Sequence, residues 1–138
     1  MKFKVNPYIG AEPILLGMTS EEIENVMGVK PTKFKKSPFS EMLTDDFECF
    51  HVYYKSNGEC EAIEFFEPAD LVFNENYLIG KPYQEVKNLF KSIDNTIEIN
   101  DCGFISYKFG LGIYAPFSQE EPNELVEGVN IFERGYYD

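Results

Sequence analysis

The chain has no tryptophan, a single histidine, His51, and three cysteines, Cys49, Cys60 and Cys102. Each scarcity removes a class of protein. A sparse, odd thiol count argues against a secreted disulfide scaffold. The cysteines fit no zinc spacing and one histidine cannot complete a typical site, so neither a structural metal nor a cofactor is expected. No apolar run is long enough to span a bilayer, and the opening Met1-Lys2-Phe3-Lys4-Val5-Asn6-Pro7 leads into no signal-peptide stretch. The expected compartment is the cytoplasm. Bases are also few, 12 against 24 acids, for a net charge of −12. Residues 1–36 hold 6 lysines and 4 glutamates, whereas residues 37–138 hold 6 bases and 20 acids. Such a field repels nucleic acid and anionic lipid, so neither is expected as a partner, and it attracts basic proteins. The same charge also serves solubility.

Catalytic patterns are scarce too. Phe109-Gly110-Leu111-Gly112-Ile113 contains a Gly-x-Gly, but it lies between strand-like runs with no helix after it, so it is no dinucleotide cradle. Asp45-Asp46 and Glu120-Glu121 match no calcium loop. Cys49 and His51 share a strand face at i, i+2, about 6–7 Å apart by the rise of a strand, which is long for a nucleophile and its base. No enzymatic activity is expected.

What the chain does have is an apolar fraction of 43% over 138 residues, enough for one domain, 1–138, with a core of its own. Aromatic residues reach 16%, with 13 Phe and 9 Tyr, and these favour strands. It also contains two matched segments. Leu16-Gly17-Met18-Thr19 through Met27 aligns without gaps on Ile79-Gly80-Lys81-Pro82 through Phe90, 63 positions later. Cys60 through Glu67 aligns on Val126 through Glu133, 66 positions later, which sets Glu64 against Asn130. Self-similarity at this spacing predicts one supersecondary unit used twice, over approximately 13–67 and 76–133.

In the first unit Thr19-Ser20-Glu21-Glu22 reads as a capping box, and Ile23, Val26 and Met27 form an apolar helical stripe that stops at Gly28. Val86, Leu89 and Phe90 repeat that stripe behind Pro82, which suits the first turn of a helix. Phe47 to Tyr54 is strand-like and runs into Ser56-Asn57-Gly58-Glu59, a hairpin signal. A two-residue turn there pairs His51 with Glu64, Cys49 with Phe66 and Cys60 with Lys55. Leu71–Phe73, Ile97–Ile99, Phe104–Phe109, Leu111–Ala115 and Val126–Phe132 read as further strands, and Pro116–Leu125 as an acidic loop. The fold class expected is α+β: two tandem helix-plus-antiparallel-strand units forming a curved antiparallel sheet with helices packed on one side.

The Gly17-Met18-Thr19-x-Glu21-Glu22-Ile23 helix start, the Asn57-Gly58 hairpin and the Ile63-Glu64-Phe65-Phe66 strand resemble small acidic bacterial proteins, some of them immunity proteins paired with toxins. The doubled unit also resembles the fold of β-lactamase inhibitor protein, in which a concave sheet grips its target. The resemblance spans residues 13–133 and brings no catalytic residues with it. It implies a non-enzymatic binding protein, an immunity protein that neutralises a basic toxin through an acidic aromatic surface. The alternative is a small-molecule-binding or regulatory domain with a pocket between the two units. Tyr53, Tyr54, Tyr107, Tyr114, Tyr136 and Tyr137 are available either as interface or as core residues. The residues expected at the partner surface are Asp45, Asp46, His51, Tyr53, Glu64, Glu67, Tyr114, Glu120 and Glu121.

Overall fold

Thr19 closes the capping box its spacing predicts: its hydroxyl accepts from the Glu22 amide, and the Glu22 carboxylate accepts from the Thr19 amide. Gly28 ends the helix in the left-handed region at φ 71°. The computed structural model that displays these features describes residues 1–121 and 123–138. Pro122, inside the loop read as acidic, lies outside the described residues.

In chain order the elements are β1 (Lys2–Asn6), β2 (Gly10–Glu12), β3 (Ile14–Leu15), α1 (Ser20–Met27), β4 (Thr32–Phe34), β5 (Thr44–Asp46), β6 (Phe50–Tyr54) and β7 (Cys60–Phe66). There follow β8 (Asp70–Phe73), β9 (Asn76–Tyr77), α2 (Tyr83–Ile93), β10 (Glu98–Asn100), β11 (Gly103–Ser106), β12 (Leu111–Tyr114) and β13 (Gly128–Phe132). They build a five-stranded sheet, β3-β2-β1-β8-β9, and an eight-stranded sheet, β10-β11-β12-β13-β7-β6-β5-β4.

The α+β expectation of a single curved sheet built from two helix-plus-strand units is therefore corrected. The chain is mostly β, 39% strand against 14% helix, and it has two sheets. The physical reason is strand length. β2, β3 and β9 are two or three residues long and too short to show any periodicity, and β1 joins β8 only through a long-range parallel pairing, so a second sheet could not be read from local pattern.

Two regularities link the matched segments. The eight-stranded sheet runs in mirrored order outward from the central β7–β13 pair. Each helix also starts beside a matching backbone clasp. Gly17 N–H donates to Cys60 C=O and Cys60 N–H to Met18 C=O, at 2.9 and 2.8 Å. Gly80 N–H donates to Val126 C=O and Val126 N–H to Lys81 C=O, again at 2.9 and 2.8 Å. The helix stripes differ in burial: Ile23, Val86 and Phe90 are buried, Met27 and Leu89 half-buried, and Val26 is exposed rather than packed. Pro82 is the residue before α2, not part of its first turn.

The inner face of the eight-stranded sheet carries the core. Phe50, Phe65, Val129, Ile113 and Phe104 lie in one cross-strand row, and Val52, Ile63, Ile131 and Leu111 in the next. From β1, Phe3 packs on Phe50 and Phe65 with ring centroids 5.2 and 4.9 Å away. From β8, Phe73 stacks on Phe90 of α2 at 5.2 Å, and Phe90 meets Phe104 at 5.2 Å. The smaller sheet and both helices thus cover one face, and the opposite face of the large sheet is left for other uses.

The hairpin corrects one detail. Lys55 N–H donates to Glu59 C=O at 2.9 Å, and Gly58 sits at φ 88°, so the turn has three residues, Ser56-Asn57-Gly58. Cys60 consequently faces Tyr54, not Lys55. A register shift between Tyr53 and Tyr54 absorbs the extra residue, and from Tyr53 outward the expected pairing holds, including His51 with Glu64.

The three thiols are free and sit at three depths: Cys102 exposed, Cys49 half-buried, Cys60 buried. Burial pushes the Cys60 thiol up to about 12. With a disulfide reagent in native buffer, Cys102 is expected to react at once, Cys49 more slowly, and Cys60 only after unfolding. Prompt loss of the Cys60 thiol in folded protein would contradict this packing.

Candidate functional site

The uncovered face of the large sheet carries a row that is polar from Thr32 to Asn130. Pairing sets Thr32 beside Asp46, Asp46 beside His51, His51 beside Glu64, Glu64 beside Asn130, Asn130 beside Gly112, Gly112 beside Ile105 and Ile105 beside Glu98. Directly paired residues on one sheet face are near enough to interact side chain to side chain. Glu64 and Asn130 occupy the centre, where β7 meets β13.

On the β5–β6 side the row is a charged cluster. His51 Nε2 lies 3.4 Å from Asp46 Oδ1, and its Nδ1 lies 4.0 Å from Glu64 Oε1. Phe34 and Phe66 meet the imidazole edge-on at 5.1 and 4.8 Å. Tyr53 O–H donates to Glu64 Oε1 at 3.3 Å. Burial first, and the Glu64 charge second, push the Tyr53 hydroxyl above the ordinary tyrosine range, so it stays a neutral donor. Burial also raises the Cys49 thiol, the reverse of what activates a nucleophile.

Beyond Asn130 the row sinks. Gly112 has no side chain to fill the face, and a groove of about 460 Å³ opens there. Its walls are Tyr53, Phe66, Tyr114, Tyr136 and Tyr137, and Glu127 lies at its margin. The two C-terminal tyrosines reach the groove because Phe132 anchors the tail: its ring stacks on Tyr136 at 5.7 Å and meets Tyr137 edge-on at 4.9 Å. A hydrogen bond with Glu124, then burial, hold the Glu127 carboxyl above its usual range. Among the described residues Lys36 alone supplies positive charge to the lining, with Nζ 4.3 Å from the Tyr53 ring centroid.

Asn130 Oδ1 is buried without a hydrogen-bond partner among the described residues. An unsatisfied buried acceptor costs about 1–3 kcal/mol, and the Tyr136 hydroxyl, which hydrogen-bonds the Asn130 side chain, supplies a donor to it once the amide is turned over.

The nine residues expected at a partner surface are thus distributed unequally. Asp46, His51, Tyr53 and Glu64 come together in the row, and Tyr114 joins them across the groove. Glu67 is exposed one residue past β7, and Glu120 and Glu121 are exposed in the β12–β13 connection. Asp45 is the correction. It is fully buried on the inner face, where its carboxylate accepts from Lys33 Nζ at 2.6 Å, Ser20 Oγ at 2.6 Å and Tyr54 O–H at 2.5 Å. Adjacent strand residues face opposite ways, so Asp45 and Asp46 could not both be on the surface.

Two central residues were missed as site residues, Asn130 and Gly112. For Asn130 the signal was present, since the internal alignment sets it against Glu64, which does lie in the row. Among the described residues no group of three His, Cys, Asp or Glu side chains is gathered as a metal site would need, and no helix is long and apolar enough to cross a membrane. The chain matches no family model, no curated protein and no solved structure.

Proposed function

We propose that the protein is a non-enzymatic binding protein of the immunity type, which engages a basic protein partner through the uncovered face of its large sheet. The observation that carries this reading is the polar row, where Asp46, His51 and Glu64 stand side by side on a rigid sheet next to a tyrosine-walled groove. Tyrosine is enriched at protein interfaces, and a surrounding acidic field speeds the approach of a basic partner. If the partner is a nuclease toxin, the carboxylates take the place of nucleic-acid phosphates in its basic groove.

The test is stopped-flow association with a basic toxin domain encoded beside this protein, run across a salt series. Reversing Asp46, Glu64, Glu67 and Glu127 to Lys is expected to slow association by about 10- to 100-fold at low salt and to flatten its salt dependence. All four are at least partly exposed, so folding should change little. An unchanged rate in the fourfold variant would sink the acidic-face reading.

A second reading, small-molecule binding, draws support from the position of the groove at the junction of the mirrored halves. Its volume is toward the low end of the roughly 300–1,000 Å³ common for ligand pockets.

A further inference from the structure

We propose that the groove beside the polar row is a receptor for one arginine side chain of the basic partner. The proposal deepens the function given above and rests on it. Four observations converge.

The first is the glycines. Of the ten in the chain, eight have positive φ, where a side chain would be strained. The two without it, Gly112 and Gly128, both line this groove, and at Gly128 a Cβ would press on the Phe65 carbonyl oxygen at 3.3 Å, so packing accounts for that one. The backbone conformation does not demand glycine at Gly112, and a Cβ there would meet only Asn130 Cβ, at an ordinary 3.8 Å. What its bareness provides is space above the sheet.

The second is the acceptor set. The Glu64 carboxylate and the Asn130 side-chain amide belong to directly paired residues on adjacent strands, and both line the groove. Adjacent strands are about 4.8 Å apart. A planar guanidinium with five donors can satisfy acceptors so spaced at once, whereas an ammonium is a point charge. The third is the lining, Tyr53, Tyr114, Tyr136 and Tyr137, a residue type on which a guanidinium stacks. The fourth is Lys36, which already lays its cation over Tyr53 at the groove. Arginine entering beside it would find two acids, Glu64 and Glu127, against that single base.

The experiment titrates N-acetyl-arginine methylamide into ¹⁵N-labelled protein, with the capped citrulline and capped lysine analogues as controls. Saturable shifts are expected at the Asn130 side-chain amide and the Gly112 backbone amide, with a millimolar Kd. Citrulline keeps the shape and loses the charge, and should bind about tenfold more weakly. Glu64→Gln should weaken arginine by a similar factor, and Gly112→Leu should abolish its binding with the melting temperature unchanged or raised. If leucine disturbs the sheet, Gly112→Ala takes its place and should weaken arginine binding partially.

Equal binding of citrulline and arginine, or arginine binding untouched in a folded Gly112 variant, overturns the proposal. Failure of capped arginine to bind, with the charge-reversed variant still slow to associate, overturns the groove and leaves the acidic face standing. Binding of capped arginine with partner association untouched by charge reversal overturns the assignment to a protein partner.

Discussion

Asp45→Ala is expected to destabilise the fold by about 3–4 kcal/mol. Its carboxylate holds three donors on the inner face, from Lys33, Ser20 and Tyr54. Removing one partner of a buried ion pair costs roughly 3–5 kcal/mol when the other charge is trapped. Lys33 is 41% exposed and can turn to water, which lowers that figure. The Tyr54 hydroxyl is buried and would lose its acceptor, which raises it again. Asp45→Asn keeps an acceptor but loses the charge, and should cost about 1–2 kcal/mol. Urea unfolding measures both, through the midpoint at constant slope. A loss below about 1 kcal/mol for Asp45→Ala would mean that the network contributes little net stability.

The same helix–sheet contact is built differently in the other half. By the internal alignment Ser20 matches Tyr83, and the mirrored pairing sets Asp45 against Phe104. Where one half joins helix to sheet through a hydroxyl and a carboxylate, the other uses two aromatic rings, Tyr83 and Phe104, with centroids 6.0 Å apart. Burial of Tyr83 and Phe104 is nearly complete, and the polar joint of this half lies instead at the other end of α2, where the Ser106 hydroxyl of β11 donates to Asp94 at 2.7 Å.

Phe65→Ala should cost about 3–5 kcal/mol, the range for deleting a fully buried phenylalanine. Phe65 is 0% exposed on β7, between Phe50 and Val129 in its row, and beneath Phe3 of the smaller sheet. The cavity would lie where the two sheets meet, and neither can close on it without disturbing a hydrogen-bonded ladder. A cost nearer 2 kcal/mol would show that the sheets relax into the space.

The parts of this fold that the sequence made legible are those with strong local chemistry. The capping box at Thr19 and the left-handed stop at Gly28 form as their residue types require. The His51–Glu64 pairing follows from alternation on two long strands, and it survived a misread turn because a register shift compensates for the added residue. What stayed illegible depends on contacts distant in sequence. β1 pairs in parallel with β8, so the smaller sheet exists only once residues nearly seventy positions apart meet. Asp45 and Asp46 look interchangeable until β5 is paired with β6, and that pairing alone decides which of them is buried. At the site, acids and tyrosines announced themselves, whereas the groove arises where Gly112 contributes no side chain at all.

The borders of both sheets limit how anything can bind. The outermost strands, β4 and β10 of one sheet and β3 and β9 of the other, are only two or three residues long. A foreign strand seeking to extend either sheet would find room for very few main-chain hydrogen bonds, and β4 also presents Lys33 in its middle. Recognition by strand addition gains affinity from the backbone and is tolerant of sequence. A sheet with borders this short must instead be read across its face, side chain against side chain. Its choice of partner is then written almost wholly in the residues of that face.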